Sequence, residues 1–349
     1  MDGKRVAIAG GMVGAGVVGA GVAITGAFLG SIVRAALLAP DPVEDQPDPL
    51  LATPAAEPDR IPVRAADGTE LNVLAYGPRD GELMVLVHGW TCNTQYWYPQ
   101  INAFADRYRV VVYDQRGHGA SPRGTSKLSV DLLGQDLQAV LDAVVPQGRK
   151  ALIAGHSMGG MTILSWANQF PDRVPDVARA VVLTSTCAEN LLPNLGLIPL
   201  DLPDALSPME YLTSRLVAGA TVRLPRTKMS RKMTQYIALN TTSRGSHVDF
   251  CDEMVAACPG RSRGQWGNAM VNLDVAGGLD ALVVPTLVVV GEDDKLTPAV
   301  HAESMAAALR DHGHLDNLVV WPGIGHMSSI ENSEGYNALL TDLLDRTVG

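Results

Sequence analysis

The sequence is poor in cysteine, in aromatic residues and in positive charge. Its 349 residues include four cysteines and 5% aromatic residues, and 27 lysines and arginines stand against 37 aspartates and glutamates, for a formal net charge of -10. The cysteines have no spacing typical of a metal site and are too few for a disulfide-built fold. The acidic balance, without any motif of basic and aromatic residues, argues against nucleic-acid binding. We therefore predict no metal site and no nucleic-acid partner.

Charge is absent altogether from the N-terminal segment between Val6 and Val33. Within it, Gly14-x-Gly16-x-x-Gly19 follows an apolar run and has the spacing of a dinucleotide-binding loop. That loop requires a second parallel strand and an acidic residue about 20 positions further on. Both are missing, because the segment continues into a proline-rich stretch that cannot lie inside a sheet. The glycine pattern therefore predicts no nucleotide cofactor.

An uncharged segment of this length instead predicts a membrane span, because about 20 apolar residues cross a bilayer as a helix. Glycines are common in such helices, where they let a neighbouring helix approach closely. Lys4 and Arg5 precede the segment and acidic residues follow it, so we expect the N-terminus in the cytoplasm and the rest of the chain outside. A cleaved signal peptide is the alternative, although Pro40 stands where cleavage would fall.

Three N-terminal parts follow from this interpretation. We expect a cytoplasmic N-terminus (residues 1–5), a transmembrane anchor (6–33) and a linker rich in proline and aspartate (34–60). Prolines and acidic residues keep a chain extended and hydrated, so the linker is expected to be a solvated spacer.

The remaining chain alternates short apolar strands with helical patterns. Two strands joined through Asp67-Gly68 predict a hairpin. Six later runs show little polar alternation, as expected of strands buried on both faces. These runs are Leu83–Gly89, Tyr108–Asp114, Lys150–His156, Arg179–Ser185, Pro285–Asp293 and Asp316–Gly323. Among the helical patterns between them, Ser129 is placed to cap a helix that carries Leu133 and Leu137 on one face. We predict an α/β fold with a mostly parallel eight-stranded sheet, helices on both faces and the hairpin at one edge.

Residues 186–272 break this alternation with helical patterns and no intervening strand. We interpret them as a helical cap, inserted between two parts of the core (61–185 and 273–349). From Arg215 to Lys232 the cap contains six basic residues and no acidic one. Such a run is usually a solvated face, but beside a membrane anchor it would hold the cap against anionic lipid headgroups.

The pattern Gly155-x-Ser157-x-Gly159 lies directly between a predicted buried strand and an apolar helix. At such a strand-to-helix turn the serine hydroxyl projects from the carboxyl edge of the sheet, and small neighbours leave room for the tight backbone. We therefore predict that Ser157 is a catalytic nucleophile.

A serine nucleophile needs a histidine base, and the base needs a carboxylate that orients it. In hydrolases with this turn the order along the chain is serine, acid, histidine. Glu292, Asp293 and Asp294 lie at the end of the seventh predicted strand, and His326 lies in the loop after the last one. Other histidines, such as His301, fall in or just after a predicted surface helix. His326 is therefore the predicted base.

Five motifs occur together in this order: HGW, YDQRGHGAS, GHSMGG, GEDDKLTP and GHM. On these motifs the chain from about Ile61 to its C-terminus resembles the α/β-hydrolase superfamily, in its capped esterase, lipase and haloperoxidase-like branch. The resemblance favours Asp294 as the acid, because Gly-x-x-Asp-x-x-x-Pro matches Gly291, Asp294 and Pro298; Asp293 and Glu292 are the alternatives.

The resemblance also implies an oxyanion hole formed by the backbone N–H groups of Trp90 and Met158. Met158 has a second argument in its favour, because N–H groups in the first turn of a helix lack partners and the helix dipole favours an anion there. His88 is expected to fix its loop. Asp114, Arg116 and His118 match a segment that forms a structural turn in the family.

The sequence therefore predicts a serine hydrolase that cleaves carboxylic esters, with lipid-like or medium-length acyl chains, through an acyl-enzyme. We expect no metal and no organic cofactor, and a membrane-anchored catalytic domain on the extracytoplasmic side. A cofactor-free haloperoxidase or perhydrolase and a carbon–carbon bond hydrolase remain alternatives on the same triad. A membrane-tethered binding protein without activity is the third alternative.

Overall fold

The computed structural model describes residues 26, 30–192, 195–197, 215, 219–221 and 225–347. One sheet contains eight strands in the order β1-β2-β4-β3-β5-β6-β7-β8. The strands are β1 (Asp59–Arg64), β2 (Glu70–Tyr76), β3 (Glu82–Val87), β4 (Tyr108–Tyr113), β5 (Ala151–His156), β6 (Ala178–Thr184), β7 (Thr286–Gly291) and β8 (Leu315–Trp321). Pairs β1–β2 and β2–β4 are antiparallel, and the other neighbouring pairs are parallel. The predicted sheet, with the hairpin at its edge, is confirmed.

The hairpin turn between β1 and β2 is built around Asp67 and Gly68. Gly68 has φ 84°, which glycine adopts without a steric penalty. Its N–H donates to the carbonyl of Ala65 at 2.8 Å, and Asp67 Oδ1 accepts the N–H of Thr69 at 3.1 Å. The turn fixes the register in which β1 and β2 pair.

Helices cover both faces of the sheet. They are α1 (Tyr98–Phe104), α2 (Val130–Val144), α3 (Met158–Gln169), α4 (Val174–Val177), α5 (Lys228–Ala238), α6 (Gly245–Ala257), α7 (Gly260–Met270), α8 (Gly277–Ala281), α9 (Ala299–Asp311), α10 (Ser328–Glu331) and α11 (Ser333–Thr347). The residues of β3 alternate between the two cores: Val85 and Val87 pack with α2 and α3, whereas Met84 and Leu86 pack with α1 and α11. Because successive side chains of a strand point to opposite faces and both faces are covered, the strand is apolar throughout.

Helix α2 begins where the sequence predicts. Ser129 Oγ accepts the N–H of Leu132 at 3.3 Å, and this bond satisfies one of the N–H groups that have no acceptor inside the helix. Leu133 and Leu137 are buried on its inner face.

The described residues between β6 and β7 form the helices α5 to α8 and no strand. Helices α5 and α6 lie within the predicted helical cap, of which residues 208–224 fall mostly outside the described residues. Trp266 of α7 donates its indole N–H to the carbonyl of Arg116 at 2.8 Å. This bond attaches the inserted helices to the core.

The predicted membrane span (6–33) lies almost entirely outside the described residues. In the part of the chain that the structure describes, no helix is long and apolar enough to cross a membrane. Residues 30–38 are helical, and Ile32 and Ala36 of this helix pack against Tyr236 of α5.

Residues 39–48, which we call the N-terminal strap, are not the solvated spacer that the sequence suggests. Val43 N–H donates to the carbonyl of Ser243 at 3.2 Å, and Val43 O accepts the N–H of Gly245 at 2.7 Å. Arg244 forms ion pairs with Asp45 and with Asp48, the latter at 3.1 Å. The expectation was wrong because the acidic strap complements a basic region about 200 positions away, a pairing that local composition does not reveal.

The same contacts change the interpretation of the basic run in the cap. Lys232 pairs with Asp41 of the strap at 2.8 Å, and Arg231 pairs with Asp249 of α6 at 2.7 Å. Arg223 lies outside the described residues. Cations that already face carboxylates are less available to lipid headgroups, so this run gives little support to a lipid-binding face.

We expect replacement of Arg244 by Glu to detach the strap, because it places a third carboxylate beside Asp45 and Asp48. Exposed ion pairs contribute up to about 1 kcal/mol, so the free energy of unfolding should fall by roughly that amount. Hydrogen exchange at the amides of Val43 and Gly245 should accelerate strongly. Replacement of the exposed Arg261 by Glu is the matched control, and equal exchange rates in the two variants would contradict the docking of the strap.

Candidate active site

Ser157 occupies a strained turn between β5 and α3. Its φ is 52° and its ψ is -119°, a conformation that costs about 1–3 kcal/mol for a residue other than glycine. A Cβ on Gly155 would lie 2.5 Å from the carbonyl carbon of Gly159, and a Cβ on Gly159 would collide with the carbonyl oxygen of Val87. The glycines of the motif are therefore required by the close approach of β3, β5 and α3.

The turn is fixed to the adjacent strand on both sides of its serine. Ser157 N–H donates to the carbonyl of Thr184 at 2.9 Å, and Thr186 Oγ1 donates to the carbonyl of Ser157 at 2.7 Å. Ser157 is 9% exposed, so its hydroxyl lies beneath the surface at the carboxyl edge of the sheet. Among the described residues, Ser157 Oγ forms no hydrogen bond; catalytic hydrogen bonds are often long before substrate binds.

His326 and Asp294 form a buried pair at the same edge of the sheet. His326 Nδ1 lies 2.9 Å from Asp294 Oδ2 and 3.0 Å from Asp294 Oδ1, and both residues are 3% exposed. Asp294 also accepts hydrogen bonds from the backbone N–H groups of Leu296 and Thr297 at 2.9 and 2.8 Å, and from Thr297 Oγ1 at 2.9 Å. These donors fix the Asp294 side chain against Nδ1 of His326, which leaves Nε2 free to act as a base.

The three acids after β7 lie in different surroundings. Glu292 and Asp293 are exposed, and Asp293 Oδ2 accepts a hydrogen bond from Asn240 Nδ2 at 2.6 Å. Only Asp294 of the three bonds to His326. The geometry therefore supports Asp294 over the two alternatives.

His156, which the sequence did not single out, holds the backbone of His326. Its Nε2 lies 2.9 Å from the His326 carbonyl oxygen, and the two rings are 4.8 Å apart between centroids. Tyr96 stacks on the His156 ring, with 4.3 Å between the ring centroids. Burial, above all, lowers the pKa of His156, so the ring is neutral and donates to the carbonyl. The variable position inside the Gly-x-Ser-x-Gly motif thus connects the serine turn to the histidine loop.

The loop after β3 brings Trp90 close to the serine turn. A Cβ added to Gly89 would lie 3.1 Å from Ser157 Cβ. Trp90 Nε1 donates to the carbonyl of Arg263 in α7 at 3.0 Å, which ties this loop to the cap. Met158 is the first residue of α3, where a backbone N–H has no acceptor within the helix. The two predicted oxyanion-hole residues therefore lie on elements that meet at Ser157.

His88 has the structural role expected of it. Its Nε2 accepts the N–H of Gln115 at 2.9 Å, and its Nδ1 donates to the carbonyl of Gly89 at 2.7 Å. Burial lowers the pKa of His88 to about 4, so the ring is neutral and both nitrogens are used.

The segment from Asp114 to His118 is a turn held by its own polar side chains. The Asp114 carboxylate accepts hydrogen bonds at 2.8 Å from each of three donors: Thr94 N, Ala120 N and Asn72 Nδ2. Arg116, with a 0% exposed side chain, pairs with Asp136 and Asp67 at 2.7 Å each. Burial, above all, lowers the pKa of His118 to about 3. All three side chains are structural, which agrees with the resemblance.

A cleft of about 250 Å³ is lined by residues of α8 and α9, among them Asp280 and His301. None of the predicted site residues lines it.

The four cysteines, Cys92, Cys187, Cys251 and Cys258, are buried and free, as expected of core residues.

The chain matches the alpha/beta hydrolase fold family over residues 82–333. The putative carbamate hydrolase RutD of Variovorax paradoxus is 28% identical over 280 residues, which cover 79% of this chain and 96% of that protein. The bifunctional esterase/perhydrolase DCH of Acinetobacter calcoaceticus is 25% identical over 281 residues, with coverage of 79% and 96%. A thermophilic esterase from Thermogutta terrifontis superposes with a TM-score of 0.64 at 23% identity and covers 84% of this chain and 100% of that structure. The structural likeness supports the fold.

Proposed function

Because the chain belongs to the alpha/beta hydrolase fold family, we propose that it is a serine hydrolase that cleaves carboxylic esters. Relatives with esterase and perhydrolase names agree with the branch that the motifs indicate. The observation that carries the proposal is the buried His326–Asp294 pair, at the sheet edge where Ser157 occupies a strained turn.

In the proposed reaction Ser157 Oγ attacks the ester carbonyl while His326 Nε2 accepts its proton. Asp294 holds the other ring nitrogen and stabilises the imidazolium that forms. The backbone N–H groups of Met158 and Trp90 stabilise the charge on the carbonyl oxygen. His326 returns the proton to the departing alcohol and then activates a water molecule that releases the acid. This sequence of steps uses neither a metal nor an organic cofactor.

We further propose a class of substrate and a location for the enzyme. An uncharged N-terminal segment in the sequence suggests a membrane-tethered enzyme whose catalytic domain lies on the extracytoplasmic side. A hydrolase held at a membrane meets lipid-like or medium-chain esters at high local concentration. The ion pairs of Arg231 and Lys232 mean that this proposal rests on the N-terminal segment rather than on the basic cap.

A chain-length series of p-nitrophenyl esters tests the substrate. We expect kcat/KM to rise from the acetyl ester to acyl chains of about six to ten carbons, because each buried CH₂ contributes about 0.8 kcal/mol. Monoacylglycerols should be hydrolysed as well. The same series on Ser157→Ala corrects for background hydrolysis. A maximum at the acetyl ester, with no turnover of monoacylglycerols, would contradict the lipid-like substrate while leaving the ester hydrolase intact.

A perhydrolase is the second candidate, because one relative is named a bifunctional esterase/perhydrolase. In that reaction hydrogen peroxide replaces water in attacking the acyl-enzyme and releases a peracid. Product analysis with acetate and peroxide distinguishes the two activities. We expect peracid formation to be slower than ester hydrolysis; the reverse order would make perhydrolysis the main activity.

A further inference from the structure

The loop that carries His326 is held by the cap on both sides of the histidine. On the C-terminal side, Met327 N–H donates to the carbonyl of Ala238 at 3.1 Å. On the N-terminal side, a Cβ on Gly325 would lie 2.5 Å from the carbonyl carbon of Leu239. The cap segment at residues 238–243 therefore lies directly against the histidine loop.

Glu331, at the end of α10, connects these two segments with its carboxylate. Its Oε1 accepts the N–H of Gly325 at 3.0 Å. Its Oε2 accepts the N–H of Asn240 at 2.8 Å and the hydroxyl of Ser243 at 2.6 Å. One oxygen thus holds the residue just before His326, and the other holds the cap.

We propose that Glu331 is a positioning residue that fixes the His326 loop against the cap segment at residues 238–243. This inference rests on the proposed serine-hydrolase function. The ionised carboxylate suits all three donors, whereas a protonated carboxyl presents a hydrogen of its own to one of them. Loss of the bond to Gly325 leaves His326 held by Asp294 and His156, and Met327 held by Ala238, with one fewer restraint on the backbone of this loop.

Glu331 gains its proton within the pH range over which activity can be measured. Burial outweighs its three hydrogen bonds and raises its pKa from 4.5 to about 7. The titratable groups that interact with it electrostatically are Asp294 and Lys295 in the loop after β7 and Cys251 of α6. A carboxyl with a raised pKa favours the folded state below pH 4.5, and this contribution is lost as the pH rises through about 7. Ionised Glu331 therefore lowers stability while it orders the site.

Replacement of Glu331 by Gln separates the effect of the carboxylate on stability from its effect on the order of the His326 loop. The side-chain amide of Gln has a single oxygen, and the two donors of the cap, Asn240 N–H and Ser243 O–H, bind to it. Its NH₂ group then faces the N–H of Gly325, so the hydrogen bond to Gly325 is lost. With a p-nitrophenyl ester we expect kcat to fall about 10- to 100-fold at pH 8.5, with little change in KM, because a small displacement of a base costs up to about 100-fold. The variant should remain folded, and its melting temperature relative to the wild type should rise as the pH rises.

The ratio of wild-type to Glu331→Gln kcat across pH is the decisive readout. The ratio cancels ionisations that both proteins share, and it should fall toward about 1 below pH 5.5, where wild-type Glu331 is itself protonated. The exposed Glu334→Gln is the matched control, with a ratio that does not depend on pH. A kcat of Glu331→Gln equal to that of the wild type, or a ratio constant from pH 5.5 to 8.5, would overturn the inference.

Replacement of Ser243 by Ala gives a second test that does not depend on the folding of the Gln variant. It removes one donor to the ionised carboxylate, so the pKa of Glu331 should rise further and the acid limb of kcat should move to higher pH, with near-wild-type kcat at pH 9. An unmoved acid limb contradicts the inference. If the wild-type protein hydrolyses no ester, the proposed function fails; if it does and Ser157→Ala does not, any failure belongs to Glu331 alone.

Discussion

Ser157→Ala should lower kcat for ester hydrolysis by about 10⁶-fold, the largest effect that we expect of any single substitution in this chain. Alanine removes the only atom that forms a covalent bond with the acyl group and leaves the turn itself unchanged. A residual rate of about 10³-fold over water should persist, because the oxyanion-hole donors still stabilise a carbonyl attacked directly by water.

Stopped assays with a p-nitrophenyl ester measure this loss, and the binding of a substrate-like phosphonate that lacks a leaving group serves as the control for an intact pocket. Retention of more than about 1% of wild-type kcat would show that another residue is the nucleophile. The fold should be unaffected, because a β-carbon is already present at position 157 in the strained conformation.

Asp294→Asn should lower kcat by about 10⁴-fold, because the amide donates to His326 Nδ1 and stabilises the wrong tautomer. The proton then lies on Nε2, which cannot accept one from Ser157. Deacylation starts from the same acyl-enzyme whichever alcohol has left. We therefore expect the same decrease for p-nitrophenyl and alkyl esters in the deacylation step, measured by single-turnover kinetics.

Two neighbouring acids provide the controls. Asp293→Asn should cost much less than Asp294→Asn, because the Asp293 carboxylate contacts Asn240 of the cap rather than His326. Glu292→Gln should change kcat by less than about threefold, since Glu292 is exposed. If Asp293→Asn lost more activity than Asp294→Asn, then Asp293 rather than Asp294 would be the acid of the triad.

The sheet was predictable because buried parallel strands leave a simple pattern. Runs such as Val85–Val87 are apolar at every position, since helices cover both faces. The glycines around Ser157 were equally informative, because the approach of β3 leaves no room for side chains. Asp294 was harder to choose among three adjacent acids; its hydrogen bond to His326 distinguishes it, and this bond joins residues 32 positions apart.

The strap and the positioning residue could not be predicted from local pattern. Composition around Asp45 indicates a solvated linker, and the docking depends on Arg244, 199 positions later. Glu331 is the last residue of a short helix, and its importance comes from donors on Asn240 and Ser243 of the cap. Contacts between distant segments decide both features.

The measurement that tests the central claim most directly is labelling of the wild-type protein with a fluorophosphonate, followed by peptide mass spectrometry. An activated serine reacts with this probe, whereas an ordinary buried serine does not. We predict one modified peptide that carries the adduct on Ser157, with no labelling of Ser157→Ala and strongly slowed labelling of Asp294→Asn. Undiminished labelling of Ser157→Ala, or an unlabelled wild-type protein that is folded, would contradict the account.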